Sequence, residues 1–448
     1  MRGAAGVLGL FLLLAGCAAD LDPEQARICA LLPAAVEPEG TAIEIFRRAP
    51  GARDLQVRIA YRAVRADGGR HSGEIGCGFA GEGLAGGRLD LVAVESDGRR
   101  LSDIQLHILR RWYLGAEGVA AEAAARDLPK APPLLAVPLP RELAYALQLL
   151  VNAAPLAGLD ALLALAYALV YGLVGRILFG FGEVAVIGGF GTVLGLGLAV
   201  TLGLTAPAAA LPVGLAAALM VSTLAGIALA ALLGSLLRHR RGLGLVVASV
   251  GLAVAIPEAL RLAQGAGDLW TQTFFREPVT LVAAPGFPVT ATAMQAIVLG
   301  LSLVALAALG IGMRRSGAGR AWRAVAEDAG TAELLGVDRG RVMLRAFAAS
   351  GALAGIAGFL LVVHYGGIGF SAGLLLGLKA LLAAVVGGVG SLAGAALAGA
   401  LVGVLETFWS GYFPLAYKDV AVLGALTFLL VLRPGGLLGY AGTGPRQV

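Results

Sequence analysis

The chain has 448 residues, is 58% hydrophobic and only 14% charged, and carries a formal net charge of +5, with a mean hydropathy of +0.83. Soluble domains average about 45–50% apolar and about 25% charged residues, so this composition excludes disorder and is that of a membrane protein rather than a soluble globule. The charges are uneven: residues 18–142 hold 34 of the 63 Asp, Glu, Lys and Arg, against 28 in residues 143–448. The basic residues form no single stripe, so they give no footprint for nucleic acid.

Met1-Arg2 leads into an apolar run over 7–14 that closes on Leu14-Ala15-Gly16-Cys17. A basic start, a short apolar core and small residues at the boundary describe a secretory signal over 1–17, too short to span a bilayer. The closing Leu-Ala-Gly-Cys resembles the lipobox of bacterial lipoproteins, which makes Cys17 a lipidation candidate; an ordinary signal peptide or a short uncleaved anchor is the other reading. Both readings place the segment after Cys17 outside the cytoplasm.

Residues 18–127 read as a small periplasmic α+β domain. Alternating β-rich runs lie at 41–46, 55–64, 74–79 and 89–94, with turn signals such as Asp97-Gly98 between them. An amphipathic helix is expected over 102–113, with Ile104, Leu106, Ile108, Leu109 and Trp112 on its apolar face. Cys29 and Cys77 are disulfide candidates in an oxidising compartment, or else two unrelated buried thiols. His71 and His107 lack companion ligands, so no metal site is expected. The Pro-rich stretch 128–142 reads as a linker.

The remainder, 143–448, reads as the membrane domain. Apolar runs fall near 143–175, 183–204, 207–236, 242–263, 293–313, 342–363, 371–409 and 420–432. The seventh run is long enough for two spans broken by glycines, so about 8–10 transmembrane helices are expected. Arg238, Arg240 and Arg241, and the larger basic cluster over 314–345, mark the cytoplasmic side and leave the loop 265–292 outside. The 67 glycines include the pairs Gly351/Gly355, Gly390/Gly394 and Gly399/Gly403, whose spacing lets helix backbones approach closely. Two similar stretches, 184–192 and 383–391, mark either broken helices around a midplane path or coincidence in a glycine-rich chain.

Glu183, Glu258, Arg261, Lys379 and Glu406 lie inside apolar runs, where each ionised group costs about 2.5–3.5 kcal/mol at mid-bilayer. Glu258 and Arg261, three apart, read as an ion pair on one helix face. Lys379 and Glu406 flank the glycine-rich 387–403 region, and either pair structurally or line the path of a polar solute. With Glu183, Gly387, Gly388, Gly390 and Ser391 they form the candidate translocation-path set.

Between two spans on the basic side runs Gly319-Arg320-Ala321-Trp322-Arg323-Ala324-Val325-Ala326-Glu327-Asp328-Ala329-Gly330-Thr331-Ala332-Glu333-Leu334-Leu335-Gly336-Val337-Asp338. Trp322, Val325, Ala329, Ala332 and Leu335 recur at helical spacing, an amphipathic piece expected to dock into a partner's groove. Its acids, Glu327, Asp328 and Glu333, disfavour an anionic lipid surface.

This loop resembles the ATPase-coupling loop of the branched-chain amino-acid ABC transporter permeases of the LivH/LivM type. Further matches come in order along the chain: Val170-Tyr171-Gly172, then Phe179 to Glu183, Gly377-Leu378-Lys379-Ala380, Gly387-Gly388-Val389-Gly390-Ser391, Tyr417-Lys418-Asp419, and Arg433-Pro434-Gly435-Gly436-Leu437-Leu438-Gly439. One departure is Leu178-Phe179-Gly180-Phe181-Gly182-Glu183, where the family has Asn-Phe-Ala-His-Gly-Glu; the amide and the imidazole are absent here. The exported domain is a second departure.

The resemblance implies an all-α polytopic protein of the bacterial inner membrane, serving as the permease subunit of an importer for branched-chain or related small amino acids. Two cytoplasmic ATPase subunits would engage Gly319, Arg320, Trp322, Arg323, Glu327, Asp328, Leu335 and Gly336. A second copy or a similar second permease would complete the path, and a periplasmic solute-binding protein would feed it. No phosphate-loop signature occurs in the sequence, so the chain is a transport subunit rather than an enzyme, with ATP bound by its partners and no cofactor of its own. Urea or short amides as solutes, and an ion-coupled secondary transporter using Lys379 and Glu406, are the alternatives.

Overall fold

The computed structural model describes residues 22–37, 41–51, 55–64, 69–81, 88–110, 114, 140–238, 242–271, 274–275, 278–284, 287–388, 390–433 and 435–438. The expected signal with Cys17, and nearly all of the linker, lie outside the described residues. Two compact units divide the chain, one of Met1–Pro133 with Val200–Ala210, the other of Leu134–Ala199 with Leu211–Val448.

The first unit is a five-stranded antiparallel meander. Strands β1 (Ala42–Pro50), β2 (Val57–Val64), β3 (Arg70–Phe79), β4 (Leu91–Ser96) and β5 (Arg99–Arg100) pair in chain order. Alternation sends Val57, Ile59, Tyr61 and Ala63 inward, where they are fully buried. Helix α1 (Pro23–Leu31), not among the elements expected from the sequence, begins on Asp22, whose carboxylate accepts from the Glu24 and Gln25 N–H groups. Arg88 ties this helix start to the sheet connection through Asp22, at 2.7 Å, and Glu24. Cys29 on α1 and Cys77 on β3 are joined by a disulfide. Burial, reinforced by the Glu37 carboxylate to which Tyr61 donates at 3.1 Å, holds the Tyr61 phenol above its ordinary range.

Of the helix expected over 102–113, residues 103–110 are helical, the last two in a wider turn, and 111–113 lie outside the described residues. After the four-residue helix α2 (Pro33–Val36), helix α3 covers Asp103–Ile108, started by a capping box between Ser102 and Gln105. Leu109 is buried against the sheet, whereas Ile104 and Ile108 are 74% and 53% exposed. Only part of the expected apolar face is therefore used, and Trp112 lies outside the described residues.

The second unit is the membrane bundle. Among the described residues, eight helices are long and apolar enough to cross a membrane. They are α4 (Arg141–Val174), α5 (Gly182–Thr201, spanning with the 3-10 turn from Phe179), α6 (Pro207–Arg238), α7 (Gly242–Gln264), α8 (Ala293–Arg315), α11 (Arg339–Tyr365), α13 (Leu392–Tyr412) and α14 (Lys418–Leu432, spanning with the 3-10 turn from Leu415). Two short helices, α9 (Gly317–Glu327) and α10 (Ala329–Leu334), connect α8 to α11, and α12 (Ala372–Gly387) precedes α13. The run 371–409 thus resolves into two helices broken by glycines, as expected. Arg141 and Glu142, expected in the linker, open α4 instead.

Helices α4 and α11 are the centre, with 72% of their apolar windows buried, against 17% for α7 and 11% for α14. Glycine makes that centre possible. A Cβ on Gly351 would stand 2.5 Å from the Ser222 carbonyl, one on Gly399 2.5 Å from the Asp160 carbonyl, and one on Gly403 2.5 Å from the Ala157 nitrogen. Helix backbones therefore touch where these glycines sit. The Gly390/Gly394 pair is different, because Gly390 lies outside the helices with open space around it. Nor is 184–192 broken: it runs inside continuous α5, while 383–391 contains a true helix break.

The end of the bundle where α4 begins carries a hairpin. Its strands, β7 (Pro278–Ala284) and β8 (Phe287–Thr292), pack Val282 and Val289 on Ala144. Gln148 on α4 exchanges two hydrogen bonds with the Thr290 backbone, at 2.7 and 2.9 Å. Just before the hairpin in sequence, β6 (Leu269–Trp270) pairs antiparallel with β9 (Gly367–Ile368). The opposite end of α4 carries α9 and α10.

Candidate functional site

At the end of α8, Ser316 turns the chain and caps α9, its hydroxyl accepting from the Gly319 N–H at 3.1 Å. Arg323 folds back to donate to the Met313 carbonyl at 2.6 Å, satisfying an orphan group at the α8 terminus. Trp322 is 5% exposed. Its indole N–H donates to the Leu169 carbonyl at 2.9 Å, and its ring lies over Gly172, where a Cβ would come within 2.7 Å of it. Val325 and Ala332 join it in a buried cluster with Leu173, Val342 and Ala346.

The apolar face of the amphipathic piece is thus seated on its own bundle, which corrects the expectation that it lies open to a partner. Asp328, extended at φ −151°, ends α9 and caps α10 by accepting from the Gly330 and Thr331 N–H groups. The break turns Leu335 out of the face it shares with Trp322 in a continuous helix. Leu334 and Leu335 are 89% and 78% exposed. Arg320, Glu327, Glu333 and Gly336 are exposed beside them, with Gly336 left-handed at φ +83°.

The candidate path residues fall into three groups. Gly387, Gly388, Gly390 and Ser391 form the α12–α13 turn. Gly387 lies on the Gly394 backbone, Gly388 and Gly390 take positive φ, and Ser391 caps α13 by accepting from the Gly394 N–H at 3.1 Å. The carbonyls left at the end of α12 are met by the segment after α14: Leu437 N–H donates to Val386 at 2.7 Å and Leu438 N–H to Gly387 at 3.1 Å. Gly436, at φ +78°, rests against Gly388. Two of the family-like motifs are therefore halves of one clamp.

Lys379 and Glu406 form the second group. The Lys379 ammonium lies 2.5 Å from Glu406 Oε1 and 2.8 Å from Asp419 Oδ1, and Lys418 lies 3.6 Å from Glu406 Oε2. The ion cluster thus ties α12 to α13 and α14. Asp160, at the middle of α4, is within electrostatic reach of Glu406, Lys379 and Lys418. Asp160 is absent from the residues singled out by sequence, although the criterion used for Glu183, an acid inside an apolar run, applies to it. Glu258 and Arg261 form their own pair at 2.7 Å on α7.

Glu183 is the third. Gly175, left-handed at φ +63°, ends α4, and the chain doubles back so that the Leu178 N–H donates to the Tyr167 hydroxyl at 2.9 Å. Tyr167 lies seven residues, about 10 Å, inside the end of α4, so α5 starts within the bundle. The departing hexapeptide explains itself here. Leu178 and Phe181 are buried, Phe181 edge-on to Tyr167 at 5.5 Å. Gly180 packs on α7, where a Cβ would be 3.2 Å from the Ser249 carbonyl and the Ala253 nitrogen. Gly182 then rests on Gly373 and Gly377 of α12, and Glu183, 1% exposed, lies against Gly373.

A glycine-packed helical bundle with internal ion pairs, a helix that starts inside it and an exposed elbow between two long helices defines a polytopic membrane protein of the transporter class. Residues 149–431 match the family model for the branched-chain amino acid transport system permease component. The chain belongs to that family. It is 32% identical over 295 residues to the high-affinity branched-chain amino acid transport system permease protein LivH of Escherichia coli strain K12, covering 66% of this chain and 96% of the relative. LivH of Salmonella typhimurium shows the same identity and coverage. BraD of Pseudomonas aeruginosa, a permease protein of the same description, is 33% identical over 298 residues, 66% of this chain and 97% of its own length. No solved structure gives a significant match to the chain. Family and helices together make this a multi-pass inner-membrane protein.

Proposed function

We propose that the chain is the permease subunit of an ATP-driven importer for branched-chain or related small amino acids. Two cytoplasmic ATPases dock on the elbow 319–338, a second copy or similar permease completes the path, and a periplasmic binding protein delivers the solute. The observation that carries this reading is the elbow. Trp322 fixes it to α4, so a push on the exposed Leu334-Leu335-Gly336 tip is passed to the central helices rather than absorbed by a loose loop. Residues 18–127 lie in the periplasm behind a signal that ends at Cys17, the residue that lipidation would modify. The lysine tie at Lys379, already held by two carboxylates, supports a structural role there over an ion relay.

The test is reconstitution of the full chain with its ATPase pair, a second permease and a binding protein in vesicles. L-Leucine uptake is expected to require ATP hydrolysis. Uptake that continues without any ATPase and collapses with an uncoupler would reject the assignment.

A further inference from the structure

The first turns of α5 and α12 meet around an acid. Glu183 is 1% exposed, and its Oε2 has no hydrogen-bond partner among the described residues. It rests on Gly373, the second residue of α12, where any Cβ would fall on the carboxylate. Helix α12 starts without a side-chain cap, since Ser371 makes no such bond. The Ala372 N–H donates to the Gly369 carbonyl at 3.4 Å, the next N–H groups take no side-chain cap, and the positive end of the α12 dipole lies at the turn against which Glu183 packs. One turn into each helix the surroundings become aliphatic and aromatic: Val186, Phe190, Val362 and Ile368 form a buried cluster, with Leu376 packed on it.

A buried acid without a counter-charge is costly only in its ionised form. A cation arriving in another state of the protein would offset that cost and draw out the charge. An α-amino acid supplies that cation together with an anion, and the uncapped helix start is a receptor for the anion. We propose that Glu183 and the α12 N-terminus form a zwitterion site in the translocation path. Glu183 accepts the α-ammonium, the α12 N–H groups take the α-carboxylate, and the Val186–Leu376 surroundings receive a branched aliphatic side chain. This rests on the permease reading and narrows its solute to apolar α-amino acids, away from neutral amides. In the conformation seen here Gly182 closes on Gly373 and Gly377, so the site is shut and opens when the two first turns part.

Binding can be read on the purified full-length chain without ATPases, as ligand-dependent thermal stabilisation. The probes are L-leucine, 4-methylpentanoate, which lacks the amine, and L-leucinamide, which lacks the carboxylate. Leucine is expected to raise the melting temperature, and the two analogues to raise it far less. Glu183→Gln keeps the side chain's size and is expected to weaken the leucine response by about tenfold to a hundredfold in apparent affinity, the loss of one charge-assisted bond. A parent chain that leucine does not stabilise overturns the proposal, as does an equal response to 4-methylpentanoate. So does a double variant, Glu183→Ala with Gly373→Ala, that binds leucine as the parent does, because the added methyl refills space without restoring charge. Failure of ATP-driven uptake with the leucine response intact would strike the coupling reading instead.

Discussion

Trp322 sets the elbow's position by itself: its ring fills the groove over Gly172 and its N–H satisfies the Leu169 carbonyl. Trp322→Ala is expected to destabilise the bundle by about 3–5 kcal/mol, the usual range for deleting a buried tryptophan, visible as a lower melting temperature. Leu335→Asp should leave stability within about 0.5 kcal/mol and instead abolish co-purification of the ATPases; retained co-purification would count against docking at the tip. Periodicity in the sequence correctly groups Trp322, Val325 and Ala332 on one face. It carries no information on whether that face meets a partner or the chain's own bundle, and it misplaces Leu335 because the break at Asp328 is a capping event. Glu183 is legible as an acid in an apolar run, yet its seat on Gly373 depends on residues nearly two hundred positions away.

Among elements, the tie between α12, α13 and α14 carries the largest charge burden. Removing the Lys379 ammonium leaves Glu406, 12% exposed, with only Lys418 at 3.6 Å, while Asp419, 42% exposed, regains water, so the expected cost lies toward the low end of the about 3–5 kcal/mol for breaking a buried pair. Lys379→Met is therefore expected to lower thermal stability sharply, and Lys379→Met with Glu406→Leu to recover part of the loss. A single variant as stable as the parent would show that the ammonium is dispensable to the packing. The α12–α13 break is readable from Gly388 and Gly390 because positive φ favours glycine. The start of α5 inside the bundle is not, since it needs the Tyr167–Leu178 hydrogen bond, a contact outside local pattern. The hairpin over 278–292 is hidden for the opposite reason: its prolines and Gly286 read locally as loop, and pairing with Gln148 on α4 is what secures it.

At the scale of the whole molecule, the orientation proposed above draws on two features. A Cys29–Cys77 disulfide suits an oxidising compartment, and basic residues flanking the elbow are expected on the cytoplasmic side. Alkaline phosphatase fused after residue 110 is expected to be active in cells, and the same enzyme fused after residue 336 inactive. The reverse pattern would invert the assigned topology and remove the ATPases' access to the elbow.

The clamp of Leu437 and Leu438 on the end of α12 has a bearing on biogenesis. The ribosome makes α12 well before the residues that cover its exposed carbonyls, with α13 and α14 still to be threaded into the bilayer in between. Until then the Val386 and Gly387 carbonyls lack the Leu437 and Leu438 N–H groups that meet them. A chain cut back before Leu437 is therefore expected to leave the end of α12 unlatched.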